Sequence, residues 1–309
     1  MTRPHFGDTL TAAMRRKQSQ VVVGLDPRPE RLPRELKPDG GAFTDARSAA
    51  EAVKAFNEAV VGQVAEVAVA VKPQIAFYEQ LGCAGMEAYA HALALARGAG
   101  LLVIGDAKRN DIASTAAAYA SAHLGAGEGS SSSDFVVDAL TINPYLGSDG
   151  VQPFLEAAAA TGRGAFALVK TSNRSSSEIQ DLDCDGAPLY ERVAGLVEEW
   201  GAAYRGHEGY SCLGAVVGAT YPEELARLRE LMPHTLLLVP GFGAQGGDVD
   251  SVRAAFDSDG LGAVVNSSRG VIFAWEQEPY DKAYGSGRWR EAVRAAASDM
   301  RALIWDATH

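Results

Sequence analysis

Residues 106–112 read Asp-Ala-Lys-Arg-Asn-Asp-Ile, which sets Lys108 between two carboxylates, Asp106 and Asp111. The apolar run just before, Leu-Leu-Val-Ile at 101–104, predicts a buried strand. On a strand, Asp106 and Lys108 are two apart and point to the same side. Asp111 falls past the strand end. An ammonium group placed between acids at the mouth of a strand suggests a positioned cation that the carboxylates keep charged. The same residues also fit a solvated ion-pair network, with Asp111 capping the next helix and Ser114 at its N3 position.

The elements that must position this stretch recur along the chain. Residues 6–17 pattern as a short helix, with Phe6, Leu10, Ala13 and Met14 on one face. Apolar strands are expected at 21–26, 67–71, 101–104, 135–142, 165–170, 213–217, 235–239 and 263–265. Helical patterns fall between them at 45–64, 86–96, 113–124, 151–160, 189–204, 222–231 and 249–256, and a final one at 289–305. Pro222 suits the first turn of its helix. The strands are continuously apolar, as when both faces are buried. Regular β–α alternation implies a parallel sheet. Eight such units in 309 residues favour a closed (β/α)8 barrel with a leading N-terminal helix over an open doubly wound sheet. No linker or change of composition divides the chain, so one barrel domain over residues 1–309 is expected. The Gly/Ser-rich tract 125–133 reads as a mobile surface insertion.

Polar residues cluster at one end of these strands. Asp26, Lys72, Asp106, Lys108, Asn143, Lys170 and Asn266 all stand at predicted C-terminal strand ends, and they include three of the chain's seven lysines. In a barrel those ends share the face that carries the active site. Lys170 on its own reads as a snorkelling surface lysine. After the seventh strand, Pro-Gly-Phe-Gly-Ala-Gln-Gly at 240–246 matches GxGxxG. A dinucleotide site is disfavoured, because the next strand ends in Asn266 where an acid for the ribose is wanted. In a barrel, the turns after the last two strands can bind phosphate through glycine N–H groups. Arg269, in Ser-Ser-Arg-Gly at 267–270, could add a bidentate contact or be a plain surface arginine.

Composition excludes several classes. The net charge of −11 argues against nucleic acid or an anionic membrane as partner. The three cysteines are scattered with no CxxC pair, which disfavours a disulfide framework or zinc site and favours a reducing cytoplasm. The six histidines show no HxxxH spacing. No apolar run is long enough to span a bilayer, and residues 1–20 lack a signal-peptide core. GxSxG and Walker A motifs are absent.

With Asp106-x-Lys108-x-x-Asp111-Ile112, Thr115 downstream, Pro240-Gly241 and Arg269-Gly270, the sequence resembles the orotidine 5′-phosphate decarboxylase family. Its length, residues 108–111 and Val-Lys-Thr-Ser-Asn at 169–173 resemble the longer bacterial type, type 2. The resemblance implies cofactor-free, metal-free decarboxylation of orotidine 5′-monophosphate to UMP and carbon dioxide, in a homodimer with shared active sites. It implies that Lys108 donates a proton to C6, flanked by Asp106 and by Asp111 reaching into the neighbouring subunit's site. Lys72 would complete the charged array, while Asp26 and the neighbour's Thr115 would contact the ribose region. Ser172 would bind the pyrimidine edge. Pro240, Gln245 and Gly270 would line the substrate site, with Gln245, Arg269 and Gly243 at the phosphate. Three alternatives stay open. A magnesium-dependent sugar-phosphate decarboxylase or aldolase shares DxKxxD but needs a further acid after strand 2, where Lys72 stands. A Schiff-base aldolase would use Lys108 or Lys170 as a neutral amine, which flanking acids oppose. The third is a non-catalytic phosphate-ligand-binding barrel.

Overall fold

The computed structural model describes residues 3–127, 133–218, 222–242 and 249–309. Eight strands form a closed barrel: β1 (Val21–Leu25), β2 (Ala70–Pro73), β3 (Leu102–Arg109), β4 (Ala139–Ile142), β5 (Gly164–Lys170), β6 (Leu213–Val217), β7 (Leu237–Pro240) and β8 (Ala263–Ser267). Every neighbouring pair is parallel, and β1 closes the ring against β8 with Val22 opposite Asn266. The expected (β/α)8 barrel is therefore present. The strands are buried almost throughout, which is why they read as unbroken apolar runs.

The major helices between strands are α1 (Phe6–Lys17), α2 (Ala46–Val64), α3 (Gly82–Gly98), α4 (Ala113–Leu124), α5 (Ser148–Thr161), α6 (Leu189–Gly201), α7 (Pro222–Leu231), α8 (Val249–Arg253) and α9 (Trp289–Thr308). The leading helix α1 buries Phe6, Leu10, Ala13 and Met14, the face its spacing predicted. Phe6 meets Phe166 edge to face, with ring centroids 5.9 Å apart. Gly164 and Gly214 make room for this pair, since a Cβ at either would run into one of the rings. Asp45 caps α2, accepting from the Ser48 N–H at 2.9 Å. Outside β1 and β8, Trp289 of α9 stacks on Phe56 of α2 at 5.4 Å, and Phe273 and Trp275 complete the cluster. This apolar wedge supports the turn that follows β8.

Some boundaries differ from the sequence reading. β3 runs on to Arg109, five residues beyond the predicted end at 104. β4 begins only at Ala139, and just before it the Asp138 carboxylate accepts the Val103 N–H at 2.7 Å. The polar loop after β5 contains a two-residue hairpin, Asp183–Cys184 against Ala187–Pro188, that has no apolar pattern to announce it. Of the Gly/Ser tract, residues 128–132 lie outside the described residues. Among the described residues, no helix is long and apolar enough to cross a membrane.

Candidate active site

The site is built on an irregular end of β3. The ladder with β4 pairs Gly105 with Leu140 and then Arg109 with Ile142. Three residues of β3, 106–108, therefore stand opposite Thr141 alone, which makes a bulge. The Thr141 hydroxyl accepts from the N–H groups of Ala107 at 3.0 Å and Lys108 at 2.9 Å. Lys108 takes a left-handed backbone conformation, φ 46°, unusual for a non-glycine residue. The bulge lifts Lys108 out of the strand, and its side chain is 44% exposed.

Asp106 is the hub. One carboxylate oxygen, Oδ2, forms an ion pair with Lys72 from the end of β2, and Oδ1 pairs with Lys108 Nζ at 2.5 Å. Thr141 Oγ1 lies 3.1 Å from Oδ1. Burial pushes the Asp106 carboxyl up, but the charges and hydrogen bonds of Lys72 and Lys108 outweigh it and hold the group well below the usual carboxylate range. Burial likewise pushes the Lys72 ammonium down, and Asp106 and Asp26 more than reverse this. Asp26 stands just past β1, and its Oδ1 is buried without a hydrogen-bond partner among the described residues. The two lysines thus differ in kind. Lys72 is sealed beside its acid, whereas Lys108 reaches toward the open mouth.

The turns after β7 and β8 are tied together by Ser267 Oγ, which donates to the Phe242 carbonyl at 3.1 Å. In register, Pro240 ends β7 opposite Asn266. Arg269 is exposed at this turn, and its guanidinium has no ion pair among the described residues. Gly270 packs beside the Ser267 hydroxyl.

Comparison with known proteins decides the family. The profile of the orotidine 5′-phosphate decarboxylase / HUMPS family matches residues 19–280. An orotidine 5′-phosphate decarboxylase of Rhodopirellula baltica is 49% identical over 295 residues, covering 96% of this chain and 97% of its own. One from Caldicellulosiruptor saccharolyticus is 40% identical, covering 95% and 99%. The solved structure of Leishmania donovani OMP decarboxylase superposes with a TM-score of 0.72 at 31% identity, covering 97% of this chain and 99% of that one. The chain belongs to the orotidine 5′-phosphate decarboxylase / HUMPS family.

Against the residues that resemblance to the decarboxylase family singled out, the fold joins Lys72, Asp106 and Lys108 directly and sets Asp26 beside them through its charge on Lys72. Asp111 makes no ion pair with Lys108 of its own chain. Its Oδ1 accepts from the Ile112 N–H at 2.8 Å. It does not cap α4: the N-cap position is Ile112 and lacks a side-chain cap bond. Thr115 is exposed on α4. Gln245 and Gly243 lie outside the described residues.

Ser172 lines a cleft of about 350 Å³ between the loops after β5 and β6, close against Gly218. Lys170 corrects the expectation of a snorkelling surface lysine. It is buried, paired with Asp181, 3.9 Å from Glu224, and its Nζ lies 4.6 Å from the centre of the Tyr190 ring. Gln180 adds two bonds to Thr171, so the loop carrying Ser172 is pinned at both ends. The sequence reading missed Thr141. Its one signal was a hydroxyl residue within a strand otherwise apolar on both faces.

Proposed function

We propose that this chain decarboxylates orotidine 5′-monophosphate to UMP and carbon dioxide without a cofactor. The observation that carries this reading is the single carboxylate of Asp106 holding a buried lysine on one oxygen and an exposed one on the other. Loss of carbon dioxide leaves the electron pair of the broken bond on C6 of the pyrimidine. The ring offers no sink for it, so stabilisation must come from fixed charge. The Lys108 ammonium stabilises the developing carbanion and then gives C6 its proton, recovering one from solvent afterwards. Asp106 directs Lys108 and, with Lys72, keeps the array rigid.

Around this centre Asp26 serves the ribose and Ser172 the pyrimidine edge. Pro240 and Gly270 line the substrate site. Arg269, with Gly243 and Gln245, holds the phosphate. Phosphate binding is remote from the reacting carbon, and its energy can be used to lower the barrier there. Asp111 and Thr115 act in the neighbouring subunit's site of a homodimer. Exposed Ile112 (50%), Tyr145 (80%) and Leu146 (45%) support an interface here. Gly150, between them, brings the Asp111 carbonyl and the Leu146 side chain together. Three free thiols, Cys83, Cys184 and Cys212, fit a reducing cytoplasm.

The deciding experiment follows the ultraviolet absorbance of orotidine 5′-monophosphate on adding purified protein treated with EDTA. Full turnover after EDTA is the expected result. No turnover overturns the reading, and a rate that magnesium restores turns it toward the metal-dependent relatives.

A further inference from the structure

We infer that Thr141 is a positioning residue for the decarboxylation, holding both the Asp106 carboxylate and the Lys108 backbone through one hydroxyl. The inference rests on the reading of Lys108 as the proton donor. It begins from the bulge. Between the Gly105–Leu140 and Arg109–Ile142 pairs, β4 offers one residue to three of β3. The N–H groups of Ala107 and Lys108 therefore have no carbonyl opposite them in the ladder. A buried N–H left unpaired is costly, so something else must accept. Thr141, itself 1% exposed, supplies that acceptor.

A hydroxyl has two acceptor lone pairs and one proton. Both lone pairs of Thr141 Oγ1 are taken, by Ala107 N–H at 3.0 Å and Lys108 N–H at 2.9 Å. Its proton then has two acceptors in range, Asp106 Oδ1 at 3.1 Å and the Gly105 carbonyl at 3.5 Å. The nearer one is charged and wins. The whole capacity of the hydroxyl is spent on three consecutive residues, 106–108. Oδ1 of Asp106 is fixed by Thr141 and Lys108, and Oδ2 by Lys72, so the carboxylate cannot rotate. The two N–H bonds also hold Lys108 in its left-handed conformation, which is unfavourable for an L-residue. Branching at Cβ stiffens the threonine side chain that does this. At 1% exposure Thr141 offers no surface to a substrate. It acts through the direction in which Asp106 aims Lys108.

The test compares wild type with Thr141→Val, which keeps shape and loses the hydroxyl, and Thr141→Ser, which keeps the hydroxyl. Readouts are kcat, KM and the Kd of UMP. Misplacing a reacting group by about 1 Å can cost ~10²-fold in rate. Thr141→Val should lower kcat by at least ~30-fold while KM and the UMP Kd stay within about threefold. Thr141→Ser should return kcat to within about threefold of wild type. If Thr141→Val fails to fold, Thr141→Cys takes its place, since a thiol fills the site but hydrogen-bonds weakly. Its kcat should then lie at least about tenfold below that of Thr141→Ser. Unchanged kcat in the valine or cysteine variant overturns the inference. So does a serine variant as impaired as valine, which would make packing the cause, or a loss confined to KM. An inactive wild type overturns the decarboxylase reading and this inference with it, whereas an active wild type with an indifferent Thr141→Val overturns the inference alone.

Discussion

Lys72 and Asp106 stand on adjacent strands, β2 and β3, and their side chains close an ion pair that solvent scarcely reaches, at 7% and 8% side-chain exposure. Removing one partner of such a pair strands the other in a low-dielectric interior. Asp106→Ala should cost about 3–5 kcal/mol in urea unfolding. The apolar double replacement Lys72→Met/Asp106→Leu should recover most of that loss, because buried pairs exchange for apolar ones with little net change. It should also abolish turnover. A single variant as stable as wild type would show that the array is not part of the fold's framework.

The array should leave stability flat around neutral pH. Asp106 is depressed, so its contribution is present above about pH 4, where an unfolded carboxyl titrates, and is lost only as pH falls through its lower folded value. Lys72 is raised, so its contribution is present below about pH 10 and fades as pH climbs through its higher folded value. A slope on the acid side comes from His123 instead. Burial, and then the Arg109 charge, lower its imidazole to about 4, and its Nδ1 has no partner among the described residues. Between about pH 6.5 and that value the unfolded chain binds the extra proton, so acidification destabilises by up to roughly 3 kcal/mol. Unfolding curves at pH 7 and pH 4.5 should show this loss in wild type and a smaller one in His123→Gln. Equal losses in both would remove His123 as the source.

Lys108→Ala should separate function from stability. Losing a general acid costs typically ~10²–10⁴ in kcat. The side chain is 44% exposed, so the unfolding midpoint should hardly move. A near-wild-type rate would take Lys108 out of the mechanism.

Asp111 makes no ion pair with Lys108 in its own chain, as a residue serving the neighbouring site would do. Mixing inactive Lys108→Ala with inactive Asp111→Ala protein should therefore restore activity. A mixed dimer has one site lacking both groups and one site intact, so recovery should approach a quarter of the wild-type rate per subunit on random exchange, about half the dimers carrying one good site each. Continued inactivity after demonstrated subunit exchange would rule out shared sites.

Much of this was legible in the chain. Unbroken apolar runs ending in Asp26, Lys72 and Lys170 fixed the strands and the face on which chemistry collects, since both-face burial leaves no alternation to misread. The Asp106–Lys108 pairing followed from spacing, although the strand does not keep a regular pleat there. The bulge was hidden because it depends on register with β4, and register is a relation between two segments rather than a property of either. Thr141 was missed for the same reason. Lys170 was misjudged because its partners, Asp181 and Glu224, stand 11 residues on and on another helix. The hairpin at 183–188 is held by its turn, where Asp183 accepts the Gly186 N–H at 3.0 Å, and carries no hydrophobic signature.

Gly24 and Ser268 lie where β1 meets the turn after β8, and a Cβ on Gly24 would occupy the space of the Ser268 hydroxyl. In evolutionary terms these two positions are one unit. A lineage that gains a side chain at Gly24 must first shrink or move residue 268, next to Arg269. Substitutions there should therefore covary, and Gly24→Ala should be tolerated better in a Ser268→Gly background than alone.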